Sequence, residues 1–230
     1  MKTASRGKVS SRRTELMEQD KRHAAVFLDR DGTINEEVGY LDRLDKLRLI
    51  PGSAEAIRLI NESGMKAVVV TNQSGVARGI FDEAFVDQVH RRLREMLGEE
   101  GAALDGFYSC PHHPTEGRGG YLRICDCRKP APGLLLRAAD ELFLDPKRST
   151  MIGDTLKDIE AASRIGAQGI LVRTGYGAEA AEALESAGEP QPKSPGNEER
   201  THGAGAPIRP VHIAGDLLAA VRWLLKDRKT

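Results

Sequence analysis

The chain has no excess charge of either sign: Lys and Arg total 34, Asp and Glu total 34, and the formal net charge is zero. That balance removes the electrostatic case for a nucleic-acid partner or an anionic membrane surface. No apolar run approaches the roughly 20 residues that cross a bilayer. Met1 to Arg22 is basic and polar and lacks the apolar centre of a secretory signal, so residues 1–22 are expected to be a flexible tail. Cysteine is scarce: there are three, all between positions 110 and 127. An odd number in one short segment makes no disulfide framework, and a reducing, cytoplasmic compartment fits best. There is no internal repeat and no sign of a second domain, so residues 23–230 are expected to form a single α/β domain whose partners are small molecules.

What is present begins with Phe27-Leu28-Asp29-Arg30-Asp31-Gly32-Thr33-Ile34-Asn35. The apolar run Ala24 to Leu28 reads as a buried strand, and it ends in two carboxylates one residue apart. Side chains alternate along a strand, so Asp29 and Asp31 share a side while Arg30 points the other way, with no catalytic role. Gly32 lets the chain turn sharply. Two carboxylates at a strand's carboxyl end suit a hard cation such as Mg2+. One can attack phosphorus while the other handles the proton. Three later segments repeat the theme. Val68-Val69-Val70 runs into Thr71-Asn72-Gln73-Ser74-Gly75, Cys127-Arg128-Lys129-Pro130 precedes a helical pattern, and Met151-Ile152 runs into Gly153-Asp154-Thr155-Leu156-Lys157-Asp158.

Between these segments strands and helices alternate. Ser53 is expected to cap a helix with Ala54, Ile57 and Ile60 on its apolar face, and Gly64 to end it. Asp82 is expected to cap a helix bearing Phe85, Val89, Leu93 and Leu97 at four-residue spacing. Further strands are expected at 106–108, 150–153, 169–172 and 211–213, and a last helix after Asp216. The alternation argues for a doubly wound, mainly parallel sheet, whose ligands sit outside the strands' carboxyl ends. Residues 188–205, rich in Gly and Pro, read as a mobile insertion.

Asp29, Asp31 and Asp154 are the candidate Mg2+ ligands, Asp31 through its carboxylate or its backbone carbonyl. Asp158, one turn after Asp154, either buttresses the site or is a helix-surface carboxylate. Thr71 offers a hydroxyl donor and Lys129 a positive charge where negative charge collects. Cys110-x-His112 and Cys125-x-Cys127 form two ligand pairs joined by a Gly-rich loop. Three thiolates and one imidazole would close a tetrahedral structural Zn2+ site. Composition does not separate His112 from His113, although matching pair spacing favours His112. The plainer alternative is a loop of free thiols.

The ordered set resembles the haloacid dehalogenase (HAD) superfamily of aspartate-nucleophile phosphatases from about Ala24 to Thr174. D-R-D-G-T-I-N, T-N-Q-S-G-V-A-R-G, C-P-H-H-P and C-D-C-R-K-P together resemble its family of heptose bisphosphate and histidinol-phosphate phosphatases. That resemblance implies a HAD-like, Rossmann-type fold with a zinc-stabilised loop and no large cap domain. It implies a phosphoric monoester hydrolase that removes the 7-phosphate of a heptose 1,7-bisphosphate, with histidinol phosphate as the alternative substrate; separately from the resemblance, a monomer is expected. It makes Asp29 the nucleophile and Asp31 the general acid and then base. Thr71 and Lys129 would steady the phosphoryl group. Glu37, Val38, Gly39 and Tyr40 would bind the sugar, with Glu37 standing where Asp is common. Asn72, Gln73 and Ser74 would also touch substrate, and Arg128 would recognise a second phosphate. A non-catalytic zinc-stabilised binding module is the reading from another class.

Overall fold

The computed structural model describes residues 22–186 and 208–228. Six strands make one sheet: β1 Ala25–Leu28, β2 Lys66–Asn72, β3 Gly106–Cys110, β4 Thr150–Gly153, β5 Gln168–Val172 and β6 His212–Ala214. Their order is β3-β2-β1-β4-β5-β6, and every pairing is parallel. The described helices are α1 Ser53–Glu62, α2 Ser74–Arg78, α3 Glu83–Glu99, α4 Gly133–Glu141, α5 Leu156–Arg164, α6 Gly177–Ser186 and α7 Leu217–Asp227.

The apolar runs are continuous because helices cover both sheet faces. All four residues of β1 are buried. Val26 and Leu28 join one core with residues of α1, α3 and α7, such as Ile57, Leu93 and Leu217. Ala25 and Phe27 join the other with Leu134, Leu135 and Ala138 of α4 and Ala161 of α5. Each large side chain so buried contributes about 1.5–3 kcal/mol. The winding reverses between β1 and β4, which pair through Phe27–Met151 and Leu28–Ile152. A crevice therefore opens at their carboxyl ends, where Asp29 and Asp154 follow.

Several boundaries differ from expectation. Ser53 does not cap α1. Gly52 takes the cap position at φ 84°, a left-handed conformation that glycine adopts freely, and Ser53 becomes the first helical residue. The sequence did not mark α2, which starts directly after Gln73. Asp82 and Asp216 do cap their helices, accepting from the backbone N–H of Phe85 and Ala219 at 2.8 Å each. The last strand begins one residue later than expected, at His212. Arg22, the end of the expected tail, donates to the Leu144 carbonyl at 3.1 Å. The rest of that tail and the 188–205 insertion lie outside the described residues. No described helix is long and apolar enough to cross a membrane.

Candidate active site

Asp29, Asp154 and Asp158 converge, each offering a carboxylate oxygen within 4.8 Å of the others. One cation is threaded among them. Lys129 Nζ lies 2.9 Å from Asp29 Oδ1, 2.6 Å from Asp158 Oδ1, and donates to the Val70 carbonyl at 2.7 Å. Burial pulls Lys129 toward neutrality, but Asp158 and Asp29 outweigh it and hold its pKa above the usual lysine value. Asp158 is wholly buried, and its Oδ2 accepts from the Thr155 amide and hydroxyl at 3.0 and 2.7 Å. It is a buttress, not a helix-surface carboxylate. Backbone shape makes the room. At Gly32 (φ 75°) and Gly175 (φ 56°) an added Cβ would sit 2.2 Å from Asp154 Oδ2, so only glycine lets both loops close on that carboxylate.

Three carboxylates facing one ammonium leave an excess of negative charge. Burial pushes Asp29 up to about 7, opposed by Lys129 and reinforced by Asp158 and Asp154. Burial also pushes Asp154 up to about 7, with the Tyr176 amide opposing at 2.9 Å. An oxygen-only set so strained suits a hard divalent cation. Both pKa values are raised above 3.8, so across that interval the folded metal-free chain binds more protons than the unfolded one. Its stability therefore falls as pH rises through the interval, while a cation competes with those protons and binds better. The rise in Tm on adding Mg2+ should accordingly be small near about pH 5 and grow toward about pH 7.5. A Mg2+ shift that shrinks over the same range would contradict this assignment.

Asp31 lines the same cavity, but its carboxylate stands outside that trio. It accepts from Arg30 Nε and Nη2 at 3.1 and 2.7 Å, from Asn35 Nδ2 at 2.9 Å and from Gln73 Nε2 at 2.9 Å. Burial alone would raise its pKa; the Arg30 guanidinium and these bonds hold it below the usual range. What Asp31 has left for a cation is its backbone carbonyl. Arg30 thus does not point away, as alternation required. β1 ends at Leu28, the chain turns at once, and the guanidinium folds onto its neighbour. Gln73 Nε2 also donates to Thr71 Oγ1 at 2.9 Å, which leaves the threonine proton free for a ligand oxygen.

Of the expected substrate contacts, Glu37, Gly39, Tyr40, Ser74 and Arg128 line the cavity with Thr71, Asn72, Gln73 and Lys129. Val38 is not among its lining residues and is 40% exposed. Asn72 grips the main chain of Lys129 from both sides, its Oδ1 accepting from the amide at 3.0 Å and its Nδ2 donating to the carbonyl at 3.1 Å. Sequence reasoning missed Phe81, Lys157 and Tyr176, which also line the cavity. Lys157 was legible between Asp154 and Asp158; the other two carry no local signal.

This combination of fold and carboxylate centre has known counterparts. A HAD-hydrolase-like family model matches residues 126–194. The D-glycero-beta-D-manno-heptose-1,7-bisphosphate 7-phosphatase of Photorhabdus laumondii is 50% identical over 153 residues, 66% of this chain and 81% of that protein. The chain belongs to this phosphatase family. The enzyme of the same name from Escherichia coli is 46% identical over 153 residues, 66% of this chain and 80% of its own length. The D,D-heptose 1,7-bisphosphate phosphatase of B. bronchiseptica, solved with magnesium and phosphate, superposes with a TM-score of 0.70 at 30% identity. That match covers 89% of this chain and 99% of the other.

Beside the carboxylate centre lies a second cluster, Cys110, His112, Cys125 and Cys127. Cys127 Sγ is 3.2 Å from the sulfurs of Cys110 and Cys125 and from His112 Nδ1. Cys110 Sγ is 3.6 Å from Cys125 Sγ and from His112 Nδ1. Thiolates around one Zn2+ with Zn–S near 2.3 Å lie about 3.8 Å apart, so the set needs little change to close on that ion. Without a cation, burial pushes the Cys110 thiol up, away from ionisation. His113 is engaged elsewhere, its Nδ1 accepting from the Glu116 amide at 3.0 Å, which resolves the histidine pair in favour of His112.

Proposed function

We propose that this chain is a Mg2+-dependent phosphatase that removes the 7-phosphate of D-glycero-D-manno-heptose 1,7-bisphosphate through an aspartyl-phosphate on Asp29. The observation that carries the reading is the Asp29 carboxylate at the mouth of β1, flanked by Lys129 and Asp154 in a cavity also lined by Thr71 and Arg128. Asp29, Asp154 and the Asp31 carbonyl would hold Mg2+, whose charge offsets that of the phosphoryl oxygens.

The residues then act in order. An Asp29 oxygen forms a bond to phosphorus as the bond from phosphorus to the sugar oxygen breaks. That bond's electron pair leaves with the sugar oxygen, which takes a proton from Asp31; the negative charge of the bound phosphate would offset the Arg30 guanidinium and let Asp31 carry that proton on the oxygen it shares with Gln73. Asp31, now a carboxylate, takes a proton from water as the water oxygen bonds to phosphorus. The Asp29–phosphorus link breaks, releasing inorganic phosphate and the free carboxylate. Lys129 and the Thr71 hydroxyl hold the phosphoryl oxygens throughout. We assign Zn2+ to Cys110, His112, Cys125 and Cys127 in a structural role, because four protein ligands leave no open position.

The substrate is tested by comparing kcat/KM for the heptose bisphosphate with that for histidinol phosphate. The bisphosphate should be favoured by at least about 10²-fold, since a site built for a polar group rejects the analogue lacking it. Arg128→Ala should narrow that gap by about tenfold or more. A preference for histidinol phosphate would overturn the substrate assignment.

A further inference from the structure

Arg30 heads the largest fully buried side chains of the described residues, at 1% exposure. A guanidinium removed from water is costly unless it is paired and hydrogen-bonded, and an apolar side chain of similar size often serves a core as well or better. Its pairing is therefore informative. Arg30 Nε and Nη2 fork onto both oxygens of Asp31, at 3.1 and 2.7 Å. This two-pronged arrangement fixes the plane of a carboxylate as well as its position. The Arg30 backbone is itself held. Its amide donates to Asp29 Oδ1 at 2.8 Å, and its carbonyl accepts from the amides of Ile34 and Asn35 at 2.9 and 3.1 Å.

A carboxylate has about four lone-pair positions. Those of Asp31 receive four donors, two from Arg30 and one each from Asn35 and Gln73. The last two donors have other acceptors at hand. Asn35 Nδ2 also reaches the Glu36 carbonyl at 3.0 Å, and Gln73 Nε2 also reaches Thr71 Oγ1 at 2.9 Å. Arg30 is sealed in the core, so its grip is the lasting one. The exchangeable edge of the carboxylate is the one shared with Gln73, toward Thr71 and the cavity.

We propose that Arg30 is the positioning residue for proton transfer, clamping the Asp31 carboxylate from behind so that its Gln73 edge meets the leaving oxygen. The proposal rests on the phosphatase reading above, in which Asp31 protonates that oxygen. Arg30 does not touch substrate; it acts through Asp31.

Two esters separate this role from a merely structural one. A sugar alkoxide needs a proton as it departs, whereas p-nitrophenolate leaves without one. Steady-state kcat/KM reports only the steps through departure, so the later hydrolysis does not blur the comparison. For Arg30→Met, which keeps much of the side-chain volume, kcat/KM for heptose bisphosphate should fall about 10²-fold or more, the scale of general-acid catalysis. For p-nitrophenyl phosphate the fall should be at least about tenfold smaller. Arg30→Lys, with one prong, should lie between the wild type and Arg30→Met, and it serves as the test if the methionine variant does not fold. In an Asp31→Asn background, Arg30→Met should add less than about threefold to the sugar-ester loss, because the two residues act as a unit. Equal losses for both esters, or undiminished turnover of the sugar ester, would overturn the role of Arg30. A wild-type chain that hydrolyses neither ester would overturn the phosphatase reading itself, and the proposal with it.

Discussion

Asp29→Asn should abolish phosphate release, with kcat/KM falling at least about 10⁴-fold, the scale seen when a covalent nucleophile is removed. The amide has no carboxylate oxygen to attack phosphorus and is a poorer cation ligand. The fold should tolerate the change. Burial already penalises the ionised Asp29, and Lys129 keeps Asp158 and the Val70 carbonyl. The Tm of the metal-free variant should therefore match or exceed that of the wild type. Phosphate release with Mg2+, measured beside thermal unfolding, checks both parts. Near-normal turnover in the folded variant would remove Asp29 from the mechanism.

Cys127→Ser should empty the cysteine–histidine cluster and silence a site to which it contributes no catalytic atom. Cys127 is the hub, 3.2 Å from each of three partners. Zinc content should drop from about one per chain to under about a tenth, since a serine hydroxyl is a poor substitute for thiolate. Turnover should fall at least about 10²-fold, because a displacement of about 1 Å in a positioned group costs that much. The transmission is short. Lys129 follows Cys127 by two residues, and Asn72 then grips its amide and carbonyl. Metal analysis and kcat on the same sample read both effects. A wild-type chain that is free of zinc and fully active would contradict the structural role.

The strand ends were legible because a sheet covered on both faces writes its strands as unbroken apolar runs. Val26 to Leu28, Val68 to Val70 and Met151-Ile152 are all wholly buried, and the polar residues that follow them fall at one edge. What escaped the sequence depended on where regular geometry stops. The alternation that turned Arg30 away holds only while the backbone is extended, and β1 ends two residues before it. Asp158 could be read as buttress or surface group because helical spacing gives its turn but not what packs above it. Burial under Lys129 decided the matter. His112 and His113 are equivalent by composition and differ only in where the loop aims each ring. The cap of α1 moved to Gly52 because a left-handed turn outcompeted a serine hydroxyl.

The most direct test is chemical. The wild-type chain is mixed with Mg2+ and heptose 1,7-bisphosphate, quenched in acid within one turnover, digested and mapped by mass spectrometry. One phosphoryl group should appear on the peptide containing Asp29, as an acyl phosphate that hydroxylamine removes, and it should be missing from Asp29→Asn. Phosphate release at full rate with no phosphoryl group on Asp29 at any quench time, or with the group on another residue, would contradict a covalent route through this carboxylate.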